Sequence, residues 1–177
     1  MKQIYKILSL KSLILSIFIL FMGTSIYAET TFEKIKRTGK VTVGTEAAFP
    51  PFEFVEDGKI VGYGKDILDY IIADLGVELN QLDLPWQGIL PGVLAGKFDF
   101  VATSVSIRAE RAKKYAFTVP IAEGTNWVMK RNGDTSIMSP DDLSGKVVCT
   151  QLASGSEKAT QEWEKDMKSR GLKGFKE

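Results

Sequence analysis

The stretch from Trp86 to Thr118, WQGILPGVLAGKFDFVATSVSIRAERAKKYAFT, contains the pattern that decides the fold class. Its first part places four apolar residues at helical spacing, Ile89, Leu90, Val93 and Leu94. Pro91 is compatible with that helix if it lies in the first turn. The apolar segment 98–107 then predicts a strand, and RAERAKKYA predicts a short charged helix. A strand between two helices indicates a sheet that is layered with helices.

The same alternation continues towards the N-terminus. KVTVGT (40–45) and VELNQLDLP (77–85) are predicted strands, and KDILDYIIADLG (65–76) is an amphipathic helix that stops at its glycine. Between them, an Asp-Gly pair indicates a hairpin in which Phe52 and Phe54 point inward as core. A polar lead, TTFEKIKRTG, precedes the first strand. The fold class is therefore α/β.

The pattern of predicted strands and helices changes near Pro120. FTVPIAEGTNWVMKR is predicted to be extended and NGDTSIMSPDDLSG to be a polar loop, and the chain from residue 146 then predicts strand, turn and helix. The single cysteine, Cys149, has no partner for a disulfide, and KVVCT predicts that it is a small hydrophobe in a buried strand.

Composition excludes several classes of function. The chain contains no histidine, which rules out histidine-based triads and histidine metal sites, and we expect no metal, cofactor or catalytic residue. The formal net charge of +1 gives no indication of nucleic-acid binding. Most enzyme classes become harder to support than a binding function.

The first 28 residues have the pattern of a secretory signal. Three lysines precede an apolar run from Leu13 to Met22, and small residues lead to a cut after Ala28. The alternative is an uncleaved membrane anchor, but the run is shorter than the roughly 20 residues that span a bilayer. Since no cysteine lies near the cut to carry a lipid, we expect a freely soluble periplasmic protein.

TSVSIRAER (103–111) places two hydroxyls near an arginine. On a strand, Ser104 and Ser106 share a face, and the carboxyl end of a parallel strand opens into a ligand crevice. Arg111 lies one turn into the next helix, from which its guanidinium can hold a carboxylate in two hydrogen bonds. The alternative is that Arg111 belongs to a solvated charged set with Arg108 and Glu110.

Three other positions carry a functional and a structural interpretation. Phe49, held by two prolines, and Trp86, at the start of a helix, are either ligand contacts or ordinary core. Ser154, with Glu157 three residues later, forms a capping box. The same glycine-bearing helix start is also an anion site through its free N–H groups, and the alternative is a cap alone.

Taken together, four segments resemble one family: VTVGTEAAFPPFEF, GYGKDIL, the long stretch quoted first, and DLSGKVV with SGS after it. In this order they are similar to the extracellular solute-binding proteins of family 3, the polar amino-acid receptors of ABC importers. The resemblance implies a type II periplasmic-binding-protein-like fold of two lobes, a free amino acid as ligand and a membrane permease as partner. A monomer is the default expectation for the oligomeric state. It implies no enzymatic activity and no nucleic-acid partner.

The resemblance also implies roles for individual residues. Arg111 matches the clamp for the α-carboxylate, with Ser106 beside it and Ser104 near the α-amino group. Phe49 and Trp86 match the aromatics that enclose the ligand. Glu46 matches an acidic residue that faces the ligand side chain, and favours a cationic or hydrogen-bond-donating one. Ser154 and Gly155 match the contribution of the second lobe.

The resemblance implies a domain organisation as well. We expect a signal peptide over 1–28, the first lobe over 29–120, a hinge crossing over 121–125 and an incomplete second lobe over 126–177, so that the sequence resembles an N-terminal fragment. Two alternatives stay open. One is a periplasmic enzyme on the same fold, similar to cyclohexadienyl dehydratase, and the other is the sensor module of a larger protein.

Overall fold

A computed structural model of the chain describes residues 28–176, so the predicted signal peptide lies outside the described residues except for Ala28. The chain divides into two compact units, one up to Thr38 and one from Gly39. In the first unit, helix α1 (Thr31–Thr38) begins where the sequence predicted only a polar lead. The Thr30 hydroxyl accepts from the Glu33 N–H (3.2 Å), and the Glu33 carboxylate accepts from the Thr30 N–H (2.8 Å). This capping box explains the helix start.

The second unit alternates strands and helices, which confirms the α/β prediction. Its strands are β1 (Lys40–Thr45), β2 (Ala48–Phe49), β3 (Glu53–Glu56), β4 (Lys59–Val61), β5 (Glu78–Asp83) and β6 (Phe100–Val101). Its helices are α2 (Tyr63–Leu75), α3 (Trp86–Leu94), α4 (Ala109–Ala112) and α5 (Gly155–Ser169), with a 3-10 turn at Pro140–Leu143.

The central sheet has the order β5-β1-β6, and all its strands are parallel. β1 lies in the middle: Val43 pairs with both neighbours, opposite Gln81 and Phe100, and Val41 and Val43 are completely buried. Parallel strands end at the same edge, so the residues that follow Thr45, Asp83 and Val101 are brought together there.

Phe98 joins the sheet to helix α3. Its ring lies where a Cβ on Gly44 of β1 or on Gly92 of α3 would approach it to 2.6 Å. Both glycines therefore leave the space that the buried ring occupies, and Ile89 on the same helix is completely buried. The core of the described sheet is centred on this contact between β1, α3 and the Phe98 ring.

The predicted hairpin is confirmed, but its inward face differs from the prediction. β2, β3 and β4 form an antiparallel sheet, and Asp57 and Gly58 both have positive φ (49° and 73°), as a two-residue Asp-Gly turn requires. Phe52 and Phe54 are only half-buried, whereas Glu53 between them is buried. The prediction that both phenylalanines are core is wrong, because the inward position holds a carboxylate that finds polar partners.

Helix α2 ends as predicted at Gly76, whose φ of 64° is left-handed and whose N–H donates to the Ile72 and Ala73 carbonyls. Helix α3 is confirmed, but Pro91 is its sixth residue and therefore lies beyond the first turn. Pro91 therefore does not lie in the first turn, where the prediction required it. Because proline has no N–H, the Gln87 carbonyl accepts no helical hydrogen bond from residue 91.

The predicted strand over 98–107 is largely wrong. Only Phe100 and Val101 pair with β1, and the Ala102 N–H makes the last backbone–backbone bond to it, at the Gly44 carbonyl (2.9 Å). The next residues turn away because Thr103 and Ser104 bond to the hairpin. The short charged helix after this segment is confirmed as α4.

In the described residues beyond 113, the helices are the Pro140–Leu143 turn and α5. The predicted strand at 146–150 is absent from the described structure, and Cys149 is exposed, so its assignment to a buried strand is wrong. Nothing in the described sheets pairs with this segment, and Val147 is likewise exposed. Leu143 and Met167 are buried in this part of the chain.

Candidate functional site

The candidate site lies at the carboxyl edge of the parallel sheet. Glu46 follows β1 directly, Trp86 opens α3 three residues after β5, and the loop 102–107 follows β6. Two backbone bonds hold this edge: Leu84 N–H donates to the Thr45 carbonyl (2.8 Å), and Ala102 N–H to the Gly44 carbonyl. Ligands of such sheets bind at this edge, beyond the strand ends.

Arg111 connects three parts of this site. Its Nη1 donates to the Ser106 carbonyl (3.1 Å), and its Nη2 lies 3.4 Å from the Ala153 carbonyl in the turn before α5. Its Cζ lies 5.4 Å from the centre of the Trp86 ring, within the range of a cation–π contact. Arg111 is therefore a partly buried group facing the site, and the interpretation as a wholly solvated charge does not describe it.

A second guanidinium lies beside the first. Arg108 Nη2 donates to the Gly155 carbonyl (2.7 Å), and a Cβ on Gly155 would approach Arg108 Nη2 to 2.8 Å. Among residues 28–176, neither Arg108 nor Arg111 forms an ion pair. Burial, and then repulsion by Arg108, lower the pKa of Arg111 from its usual value. Two cations whose hydrogen bonds among these residues go to neutral carbonyls make this edge a place for an anion.

Glu53 was not among the site residues predicted from the sequence. This residue is 2% exposed, and its Oε1 accepts from the Thr103 hydroxyl (2.6 Å) and the Ser104 N–H (2.7 Å), while Oε2 accepts from the Ser104 hydroxyl (3.0 Å). The available signal was a charged residue inside the apolar run FEFV, at a position whose pleat faces inward.

The two serines are not placed as the strand prediction required. A strand would place the neighbouring residues Thr103 and Ser104 on opposite faces. Both instead bond to Glu53, because the loop has left the extended conformation of a strand. Ser106 is exposed and presents its carbonyl to Arg111. Both serines therefore lie in the loop at the site, with different partners.

The two aromatic residues have different surroundings. Phe49 is 50% exposed and stacks on Phe52, with ring centres 5.5 Å apart and 14° between the planes, so it is not a core residue. Trp86 is 8% exposed and has Arg111 over its ring. Phe49 is thus available to a ligand, whereas Trp86 is covered by the arginine.

The turn before α5 reaches the same edge of the sheet. Gln151 Nε2 donates to Glu46 Oε1 (2.6 Å), and Ala153, with φ of 60°, offers its carbonyl to Arg111. The structure thereby brings Glu46, Arg111 and this turn together.

The predicted cap at the start of α5 is present. Ser154 Oγ accepts from the Glu157 N–H (3.1 Å), and Gly155 is the first residue of the helix. The Glu157 carboxylate accepts from the Ala153 N–H (2.7 Å), one residue before the position that a capping box uses. An ion pair between Lys158 and Glu110 joins α5 to α4.

The part of the chain that the structure describes, residues 28–176, holds neither a metal-binding cluster nor a membrane-spanning helix. No cluster of three or more histidine, cysteine, aspartate or glutamate side chains is arranged to hold a metal ion there. No helix in that range has the length and apolar character needed to span a membrane.

Comparison with known proteins agrees with the geometry. Residues 41–172 match the model of the bacterial extracellular solute-binding proteins, family 3. A probable amino-acid ABC transporter-binding protein of Haemophilus influenzae is 29% identical over 84% of this chain and 56% of its own length. The L-cystine-binding protein TcyJ of Escherichia coli is 34% identical over 73% of this chain and 49% of its own. The chain spans about half the length of these curated relatives.

Solved structures show the same fold. An ancestral amino-acid-binding protein that is a precursor of cyclohexadienyl dehydratase has a TM-score of 0.69 and 33% identity, over 76% of this chain and 61% of its own. An ancestral arginine-binding protein bound to arginine has a TM-score of 0.68 and 36% identity, over 78% and 59%. The type II periplasmic amino-acid-binding fold is therefore confirmed, and the chain belongs to the bacterial extracellular solute-binding proteins of family 3.

Proposed function

We propose that this chain is the substrate-binding component of an amino-acid ABC importer in the periplasm, which captures a free amino acid and presents it to the membrane permease. The observation that carries the proposal is the pair Arg108 and Arg111. Both guanidinium groups lie at the carboxyl edge of the sheet and have backbone carbonyls as their partners among the described residues. A carboxylate is the anion whose planar geometry matches an arginine.

In the proposed binding mode, Arg111 takes the α-carboxylate in a bidentate pair. Its bonds to the Ser106 and Ala153 carbonyls go to neutral acceptors, whereas a carboxylate adds the attraction of opposite charges and a matching bidentate geometry. Ser106 lies beside the carboxylate, Ser104 takes the α-ammonium, and Phe49 covers the ligand with its exposed face. The Trp86 ring packs against the Arg111 guanidinium. Ser154 and Gly155 contribute the N-terminal end of helix α5.

The proposed lobes are residues 29–120 and 126–177, with a hinge over 121–125. Contacts from both sides support this division: Glu46 bonds to Gln151, Arg111 to Ala153, and the Tyr63 hydroxyl donates to the Ile121 carbonyl (3.1 Å) at the start of the hinge. A ligand that touches both lobes stabilises the closed arrangement by its differential affinity for that state. The protein acts as a monomer in this proposal.

Binding without catalysis is the better supported activity. The solved structure related to cyclohexadienyl dehydratase is, by its own name, an amino-acid-binding precursor, and the curated relatives are binding proteins. The described residues contain no histidine. The buried carboxylate nearest to the site, Glu53, is committed to three donors, which removes it from acid–base work on a substrate.

The ligand class is proposed from Glu46. A half-buried carboxylate whose partner is the neutral amide of Gln151 favours a ligand with a cationic or hydrogen-bond-donating side chain. One solved structure shows an ancestral arginine-binding protein bound to arginine, and another shows an ancestral arginine-binding protein bound to glutamine. We therefore propose an amino acid of the basic or amide class.

Glu46→Gln is expected to shift preference within this class. Removing the charge lowers the affinity for L-arginine relative to L-glutamine by about tenfold, since arginine loses an ion pair with the carboxylate, whereas glutamine loses only the charge assistance of a hydrogen bond. Titration calorimetry with both amino acids measures the ratio. Glu56→Gln, an exposed glutamate on β3, is the matched control and leaves the ratio unchanged. An unaltered ratio in Glu46→Gln contradicts the assignment of Glu46.

A thermal-shift screen of the purified protein against the common L-amino acids and L-cystine tests the proposed function. A ligand at 100 times its Kd adds about 2.7 kcal/mol to the free energy of unfolding if it binds only the folded form. We expect a clear rise in Tm with the basic or amide class and none with acetate or methylamine. A cooperative melt that no amino acid shifts contradicts the proposal.

A further inference from the structure

Glu53 is a buried charge that the proposed binding mode leaves without a role. Its three partners are all donors, from Thr103 and Ser104, and within residues 28–176 no lysine or arginine forms an ion pair with it. A carboxylate that is almost completely buried is costly unless it is well hydrogen-bonded, so these three bonds hold it in place. In return, the carboxylate fixes the loop that leaves β6.

The bond from the Ser104 hydroxyl has a chemical consequence. A serine hydroxyl has one proton to donate and two lone pairs to accept with. Because Ser104 Oγ donates to Glu53 Oε2, its proton is committed, and towards any other group this oxygen acts only as an acceptor. Ser104 is partly exposed, and no described residue donates to its hydroxyl.

We infer that Glu53 is a positioning residue that makes Ser104 an obligate acceptor, so that the site selects the α-ammonium group of its ligand. This inference rests on the proposed function and deepens it. An α-ammonium has three protons to donate, whereas an α-hydroxyl has one, and an α-keto oxygen has none. The negative charge behind the serine oxygen further favours a cation. Glu53 thus acts through Ser104 and does not touch the ligand.

Gly64 leaves room for the contact between Glu53 and Ser104. A Cβ on Gly64 would lie 2.8 Å from Glu53 Oε2, the oxygen that holds the Ser104 hydroxyl, and 3.2 Å from the Phe52 carbonyl. A methyl group at this position therefore presses on the carboxylate without changing any charge. Gly64→Ala provides a second way to disturb the contact between Glu53 and Ser104.

The test compares an L-amino acid with its α-hydroxy analogue, and the probes are L-arginine with argininic acid and L-glutamine with 2-hydroxyglutaramic acid. Titration calorimetry gives the two Kd values and their ratio for the wild type and for Glu53→Gln. The glutamine amide donates where the carboxylate accepted, which turns the Ser104 proton outward. We expect the wild-type protein to prefer the amino acid by about 100-fold or more, and the variant to lose at least tenfold of that ratio.

Two further variants separate this role from a loss of structure. Gly64→Ala is expected to reduce the ratio in the same direction, and Glu56→Gln, on the same strand but exposed, to leave it unchanged. A loss of folding alone lowers both affinities together and does not change their ratio.

The outcomes distinguish the two proposals. If the wild-type protein binds the amino acids and the ratio is the same in Glu53→Gln, the inference is overturned and the proposed function stands. If the wild-type protein binds neither probe nor any other amino acid, the proposed function fails and this inference with it. A reduced ratio in both Glu53→Gln and Gly64→Ala supports the inference.

Discussion

Arg111→Ala is expected to weaken amino-acid binding by about 100-fold or more, because truncating one partner of a desolvated charge pair costs roughly 2–5 kcal/mol. The arginine is partly buried, bonds to the Ser106 carbonyl and lies over Trp86. Its removal leaves the ligand carboxylate without its bidentate partner. Titration calorimetry with the amino acid found by the screen measures the loss.

Arg111→Lys and a neighbouring charge provide the controls. Lysine keeps the charge but loses the planar fork, so we expect an intermediate loss of about tenfold. Lys113→Ala, an exposed cation two residues away, is expected to change the Kd by less than about twofold. If Arg111→Ala binds as the wild type does while remaining folded, the central role of this guanidinium is contradicted.

The second large effect is expected in the core. Phe98→Ala lowers the free energy of unfolding by about 3–5 kcal/mol, the usual cost of truncating a buried phenylalanine. The ring fills the space between Gly44 and Gly92 and thereby joins the central strand to α3. Urea denaturation of the variant measures the change, and a cost below about 1 kcal/mol contradicts the assignment of this ring to the core.

Gly92→Ala tests the same contact from the other side. Alanine normally stabilises a helix relative to glycine by about 1 kcal/mol, but here its Cβ would lie 2.6 Å from the Phe98 ring. We therefore expect destabilisation, by about 1–3 kcal/mol, that largely disappears in a Phe98→Leu background. Leu94→Ala, an exposed residue on the same helix, is the control. Equal costs of Gly92→Ala in both backgrounds would show that the ring is not the obstacle.

Most of the individual strands and helices were predictable because their signals are local. The β-branched alternation of KVTVGT, the helical spacing before Gly76 and the Asp-Gly turn each specify an element from a few neighbouring residues. The errors arose where a distant contact overrides the local pattern. Residues 103–107 have the composition of a strand, yet Glu53, fifty positions earlier, draws Thr103 and Ser104 away from the sheet. Cys149 is exposed because its apolar segment has no pairing strand among the described residues.

The candidate site was predictable as a set of residues, not as a set of contacts. The family resemblance named Glu46, Trp86 and Ser104, and in the structure the order β5-β1-β6 brings the positions after Thr45, Asp83 and Val101 to one edge. The sequence did not indicate which of these groups form hydrogen bonds with one another. The contact of Glu46 with Gln151 joins positions 105 residues apart, and the role of Glu53 depends on a loop conformation that propensity did not predict.

The most direct test of this account compares an amino acid with its decarboxylated analogue, which for L-arginine is agmatine, by titration calorimetry on the purified protein. If Arg111 holds the α-carboxylate, the amino acid binds with one-to-one stoichiometry and the analogue binds at least about 100-fold more weakly. Equal affinities for the two, or saturable binding of agmatine alone, would contradict the claim that the guanidinium of Arg111 recognises the ligand.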